Sequence, residues 1–352
     1  LLFFQKRRPA FFWPPPDARR TISRTSHRQQ DTQHAAARAV MKRIQYHRYG
    51  GPDLLRLEDF EPATPGPGQI RVLVRAASVN PVDWKIRSGA LRLMTGGRFP
   101  RAMGSDFAGI VDAVGPGVTQ FRAGDAVLGS AAIKAGGAFA EAVVTEAARA
   151  IAKPPSLSFE QAATLPIVGA TAWGGLVEKA HLQPGQSVFV HACLGSVGRA
   201  AVQLAQMLGA HVAGSARGTA MAEARALGVD PVLDFQNLDL SGLRNRFDIV
   251  FDTAGTLSLS DGRALLKRGG VILDIAPSPA KALAIFLSPS RKLLFANPTS
   301  AVLASITEAA EAGKWLPVIG GAVQLSAAIP ALAVLEQQGL PKGKLVIVMN
   351  DA

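Results

Sequence analysis

The stretch SVFVHACLGSVGRAAVQLAQMLGAHVAGSAR, residues 187–217, decides the fold. Behind the turn signal Pro184-Gly185 it opens with the apolar run Val188-Phe189-Val190, the composition of a buried parallel strand. Ala192-Cys193-Leu194-Gly195-Ser196-Val197-Gly198 follows, an A-x-x-G-x-x-G loop. Val197, Ala201, Leu204, Ala205 and Leu208 then fall on one helical stripe, and Gly209 is a natural helix stop. His211-Val212-Ala213-Gly214 reads as the next strand. Strand, glycine loop, helix and strand in that order suit a dinucleotide pyrophosphate. Small residues let backbone approach the phosphates, and the helix N-terminus supplies free N–H groups and partial positive charge. A glycine motif alone would fit any glycine-rich turn, but here the flanking strand and helix supply the context it requires. The expected pyrophosphate contacts are Gly195, Ser196, Val197 and Gly198.

The end of the second strand bears on which dinucleotide. An NAD site usually places Asp or Glu about 20 residues beyond the glycines, on the ribose hydroxyls. Ser215 holds that place here, with Arg217 two residues on. A hydroxyl and a guanidinium suit a 2′-phosphate, which a carboxylate would repel. NADPH is therefore expected over NADH, unless Arg217 is simply a solvated loop residue.

The chain has 352 residues, enough for two domains, and no apolar run of membrane-spanning length. Its one cysteine, Cys193, excludes an intrachain disulfide and a multi-cysteine zinc site, and suits a reducing compartment such as the cytoplasm. The net charge of +12 is uneven: the first 40 residues hold eight Lys or Arg against two Asp. After Met41 no dense basic stripe interleaves with aromatics, so neither nucleic acid nor a membrane surface is an expected partner.

Residues 1–40 read as a disordered leader foreign to the fold, with Phe11-Phe12-Trp13, then Pro14-Pro15-Pro16, then aperiodic Arg, Ser, Thr and Gln. They lack the apolar core of a secretory signal, and Met41 stands directly before the first regular pattern. Translated upstream sequence is the preferred reading; a transit peptide is the other. From Met41 to Leu165 short strands such as Ile70–Val74 and Gly109–Val114, punctuated by glycine turns, predict a compact barrel. From Pro166 to Pro298 strands alternate with helices, which predicts a doubly wound parallel sheet. A last strand is expected at Lys292–Phe295 and a helix from Ser300 to Gly313. Gly343–Val348 should return to the first domain, so that 299–352 completes it.

These residues resemble the medium-chain dehydrogenase/reductase superfamily, and within it the zinc-free quinone oxidoreductase (zeta-crystallin-like) branch. The resemblance covers Met41 to Met349. It is carried by Asn80-Pro81-Val82-Asp83 with Arg87-Ser88-Gly89, Gly104–Gly109, Phe121–Val127, Gly137–Glu141, Ala162–Pro166, Gly169–Trp173, the nucleotide loop and Phe251-Asp252-Thr253. It implies a chaperonin-10-like β-barrel domain, a Rossmann domain and an NADPH-bearing cleft between them. Zinc enzymes of the superfamily carry a cysteine ligand near Asp83 and a His-Glu pair where Ser105-Asp106 stands. With those absent, no metal is expected.

The implied activity is hydride transfer from NADPH to a quinone or another activated carbonyl or enone. Such a reaction asks the protein for stacking, exclusion of water and a donor for the developing oxyanion. By resemblance Asn80 lies beside the nicotinamide, with turn-capping as its ordinary alternative. Asp83 orients neighbouring groups, or pairs with Arg87 four residues on. Thr171 lies near the nicotinamide, or caps a helix. The branch's tyrosines after the Asn-Pro motif are missing; Trp84, Lys85 and Leu91 stand there, and the two tyrosines, Tyr46 and Tyr49, come earlier. That counts against an enoyl-thioester role, in which carbon must be protonated; an alkenal or enoyl reductase of the same superfamily is the second reading. The branch's lysine near Met221 is absent too, which puts weight on Arg217. A nucleotide-binding sensor with little catalysis is a third reading. The resemblance also implies a homodimer through the edge Leu293-Leu294-Phe295.

Overall fold

The computed structural model describes residues 40–275, 279–315, 317–339 and 342–349; apart from Val40, the expected leader lies outside them. The first lobe contains β1 (Met41–Tyr46), β2 (Arg56–Phe60), β3 (Gln69–Ser78), β4 (Arg101–Ala102), β5 (Asp106–Val114), β6 (Ala126–Ser130), β7 (Ala142–Glu146) and β8 (Ala150–Ala152). Helices α1 (Pro81–Arg87) and α2 (Arg92–Thr95) interrupt it. Along β3 burial alternates, because a pleated strand turns successive side chains to opposite faces. Its Ile70, Val72 and Val74 meet Phe107 and Val127 in the barrel core.

Helices α3 (Phe159–Ala163) and α4 (Pro166–Trp173) lead into the second lobe. There β9 (Ser187–His191), α5 (Ser196–Met207), β10 (His211–Ala216), α6 (Met221–Ala226), β11 (Val232–Asp234), β12 (Phe247–Asp252), α7 (Leu259–Leu265), β13 (Leu266–Asp274), α8 (Pro279–Leu287) and β14 (Arg291–Leu293) alternate. The strands are parallel, in the order β11-β10-β9-β12-β13-β14. The order reverses between β9 and β12, which opens a crevice at their carboxyl ends, where α/β proteins bind ligands. Val188, Phe189 and Val190 of β9 are fully buried. Each such side chain contributes about 1.5–3 kcal/mol. The last strand is one residue earlier and shorter than the apolar run suggests, because Leu294 turns into the core while Phe295 turns to solvent.

The chain then forms α9 (Ser300–Glu311), β15 (Ile319–Gln324), α10 (Ala328–Gln338) and β16 (Lys344–Val348). β16 runs antiparallel to β3, with Val346 opposite Ser78. It completes the barrel sheet β15-β16-β3-β5-β6-β8, to which β7 adds through β3. This return sets Lys344 beside the C-terminal end of β3, where the Asn-Pro motif begins.

Candidate functional site

The glycine loop sits where β9 hands over to α5. Ala192 adopts a left-handed φ of 59°, and Gly195 is the N-cap of α5. Gly198 is the tight point: a Cβ there would stand 2.2 Å from the Ala192 carbonyl oxygen. Absence of a side chain lets the helix start directly over the strand end. Ser196, Val197 and Gly198 occupy the first turn, so their N–H groups have no intrahelical acceptor. That turn carries no acidic residue. The arrangement fits an anionic diphosphate.

Ser215 and Arg217, expected together at the 2′-phosphate, are directed differently. Ser215 is fully buried; its hydroxyl accepts from Ala192 N–H at 3.1 Å and meets His191 Nδ1 at 2.8 Å. It braces the glycine loop from below, because the alternation of β10 turns it inward. Arg217 is exposed at the end of β10. His191 also reaches Thr256 Oγ1 at 3.0 Å and stacks on Phe235, with ring centroids 4.6 Å apart. Burial holds its imidazole below the usual histidine range.

Past β12, Asp252 organises the crevice's other wall. Its carboxylate accepts from Gly255 N–H at 2.8 Å and Leu257 N–H at 3.0 Å, and pairs with buried Lys281. Thr253 Oγ1 donates to the His191 carbonyl at 2.6 Å, which ties this loop to the glycine loop. Sequence reading used Asp252 only as a family marker and did not single out Lys281.

Facing this crevice from the barrel, a buried polar cluster gathers Asn80, Asp83, Ser105, Asp106 and Lys344. Asn80 is the N-cap of α1 and forms a capping box with Asp83, while its side chain also bonds away from the helix. Its Nδ2 donates to Asp106 at 2.9 Å, and its Oδ1 accepts from Lys344 Nζ at 2.8 Å. Asp83 accepts from Asn80 N–H and from Ser105 Oγ, each at 2.8 Å. The alternative pairing with Arg87 is not formed: Arg87 points away and pairs with Glu336 of α10. Asp106 also accepts from Ile167 N–H at 3.2 Å, in the first turn of α4. Thr171, on the same helix, donates to the Ile167 carbonyl at 2.7 Å, so it does not act as a helix cap. Its oxygen keeps acceptor capacity.

Burial controls the charges. It pushes the Asp83 carboxyl up to about 7, against the hydrogen bonds from Asn80 and Ser105. Burial likewise raises Asp106, and lowers Lys344 against the pull of Asp106 and Asp83. Two carboxyls and one ammonium leave the cluster with one excess negative charge when all ionise, which favours a proton held between the two carboxyls.

Tyr46 belongs here as well, although it lies far from the Asn-Pro motif in sequence. Together with Asp83, Ser105 and Arg101 it lines a cavity of about 10 Å³, close to the smallest space that holds one water. Its hydroxyl is buried without a hydrogen-bond partner among the described residues, and burial pushes the phenol above its ordinary pKa. Strand β1 alone brings it there. Tyr49 lies nearby with its ring edge-on to Phe99 at 5.1 Å.

Two family models match the chain: the alcohol dehydrogenase GroES-like domain over residues 66–155, and a zinc-binding dehydrogenase model over 227–347. The chain is 31% identical over 253 residues to the quinone-oxidoreductase homolog, chloroplastic, of Spinacia oleracea, a match covering 69% of this chain and 77% of that one. It is 37% identical over 240 residues to the phthioceranic/hydroxyphthioceranic acid synthase of Mycobacterium bovis, covering 66% of this chain but 11% of that one. Among solved structures, the Escherichia coli quinone oxidoreductase complexed with NADPH superimposes with a TM-score of 0.75 at 26% identity, over 87% of this chain and 99% of that one.

Proposed function

The chain belongs to the quinone oxidoreductases of the medium-chain dehydrogenase/reductase superfamily, and on that footing we propose that it reduces a quinone, or a similarly activated carbonyl or enone, with NADPH. The observation that carries this reading is the open first turn of α5 over Gly198, with exposed Arg217 at the end of the neighbouring strand. The N–H groups of Ser196 and Val197 hold the diphosphate, and Arg217 takes the 2′-phosphate. Ser215 acts behind them by holding Ala192. When bound, NADPH supplies the hydride. Thr171 and Asn80 border the nicotinamide site. Asp83 orients Asn80 through the Asn80 N–H and, when protonated, sets no negative charge against a reduced acceptor.

Zinc takes no part in this reading. Asp83 is engaged by Asn80 and Ser105, and Asp106 stands 3.4 Å from the Lys344 ammonium, which already fills the place of a cation. Among the described residues no group of three or more His, Cys, Asp or Glu side chains is arranged to hold a metal ion.

The test is stopped-flow oxidation of NADPH with parallel quinone and enone panels, run with a chelator present. Turnover with quinones supports the reading. Turnover confined to enones moves the chain to the enoyl reductases. Tight NADPH binding with no turnover on either panel makes it a sensor. Arg217→Ala is expected to raise the KM for NADPH by about 10-fold or more, the loss of one charge-assisted contact, with little change for NADH. An unchanged preference removes Arg217 from the site.

A homodimer joined along β14 is part of the proposal. That strand ends its sheet, and the exposed apolar side chains Leu283, Leu287 and Phe295 flank it. Light scattering should give twice the chain mass at micromolar concentration, and a monomer mass refutes it. Among the described residues no helix is long and apolar enough to cross a membrane. Burial pushes the lone thiol, Cys193, up to about 11, which makes it an inert core group.

A further inference from the structure

Lys344 supplies the ammonium of the buried cluster, and it touches three elements at once. Its Nζ lies 2.8 Å from Asn80 Oδ1 before α1, 3.4 Å from Asp106 Oδ2 on β5 and 3.5 Å from the Thr164 carbonyl ahead of α4. An amide side chain has one donor end and one acceptor end. With an ammonium at one side of Asn80 and a carboxylate at the other, only one orientation satisfies both. Asp106 meanwhile holds Ile167 N–H, so the same ion pair grips the first turn of the helix that carries Thr171.

We propose that Lys344 is a positioning residue for hydride transfer: it fixes the orientation of the Asn80 amide and, with Asp106, clamps α4 to the barrel, so that Asn80 and Thr171 stand in one fixed relation. This rests on the reductase reading above. The charged groups that face Lys344 are Asp106 from β5 and Asp83 from α1. Arg199 of α5 lines the same small cavity, of about 30 Å³.

The experiment compares Lys344→Met with the double variant Lys344→Met/Asp106→Asn. The single variant leaves a buried carboxylate without its ammonium, which destabilises the fold strongly. The double variant carries no such unpaired charge, so its thermal stability is expected to return close to that of the parent. Its amide orientation does not return, because the amide introduced on β5 can donate where the carboxylate only accepted. Hydride transfer from NADPH to 1,4-benzoquinone is therefore expected to stay at least 10-fold slow in the double variant, with the KM for NADPH changed less than about threefold. In the single variant, if it folds, the pH at which activity falls through loss of the Asp83 proton moves upward by about one unit, since an ammonium no longer favours the Asp83 carboxylate.

Hydrogen exchange of the 164–173 backbone gives a readout that does not need turnover. It should quicken about tenfold in the double variant while the β9–β10 amides stay unchanged. A double variant that recovers stability and rate together reduces Lys344 to a structural role, and unchanged exchange over 164–173 refutes the clamp. Failure of the parent to turn over quinones counts against the reductase reading alone, and the exchange result then decides the clamp by itself.

Discussion

Gly198→Ala is expected to weaken nicotinamide-nucleotide binding by about 100-fold or more, whereas Gly195→Ala, three residues earlier, is expected to stay close to the parent. Both positions belong to one loop, and both have φ values open to alanine. They differ in what a methyl would meet. At Gly198 the Cβ would lie 2.2 Å from the Ala192 carbonyl oxygen and 2.9 Å from the Cys193 carbonyl carbon, and these are backbone atoms that cannot swing aside. The helix must lift off the strand end by about 1 Å, and its free N–H groups move with it; a misplacement of that size costs about 100-fold. At Gly195 the nearest atom is the Ala192 carbonyl oxygen at 3.3 Å, and alanine in place of glycine as N-cap costs under about 1 kcal/mol. Calorimetric titration with NADPH, beside circular dichroism to confirm folding, measures the contrast. Equal affinities of the two variants would mean that the diphosphate does not bind over this helix end.

The second large effect concerns pH. Stability of the parent should fall as pH rises from about 4 to about 7, and Asp83→Asn should remove much of that fall. The Asp83 carboxyl goes from 3.8, its ordinary value, to about 7 in the fold. Between those values the native state holds a proton that the unfolded state has lost, so each rise in pH favours unfolding. The contribution is fully present below the lower value and gone above the upper one. At 1.36 kcal/mol per pKa unit the change is on the order of 4 kcal/mol across the window. Asparagine suits the place: its oxygen accepts from Asn80 N–H, and its amide donates to Ser105, whose hydroxyl can turn to accept. The Tm of Asp83→Asn minus that of the parent should therefore grow from about pH 5 to about pH 7.5 and then level off. A difference independent of pH would show that Asp83 titrates normally.

The strand–loop–helix unit was legible because its signals are local. A run of apolar residues, two glycines and a stripe at helical spacing lie within 31 consecutive residues. The role of Ser215 was legible only in part. Its place at the end of β10 could be read, but the pleat turns its hydroxyl beneath the loop, toward His191, and spacing alone does not report that direction. Asp83 was found by resemblance, and its partners differ from the helical neighbour that spacing suggested. Arg87 turns instead to Glu336 of α10, which leaves Asp83 to Asn80 N–H and the Ser105 hydroxyl. Tyr46 was read as a residue near the start of the chain, because nothing in β1 announces that its side chain ends beside Asp83.

By itself the sequence determined two lobes, the strand, glycine loop and helix at the start of α5, an arginine suited to a phosphate and the resemblance to a family. The first three follow from residue order over a few turns of chain, where periodicity and turn chemistry act directly; the family follows from motifs matched along the whole of it. Tertiary structure alone decided the buried cluster, since Lys344 stands 264 positions from Asn80 and 238 from Asp106. A lysine at the first position of a strand reads as a solvated edge charge until the strand is paired. Pairing of β16 with β3 takes it out of water, and two carboxylates and an amide then become its solvent.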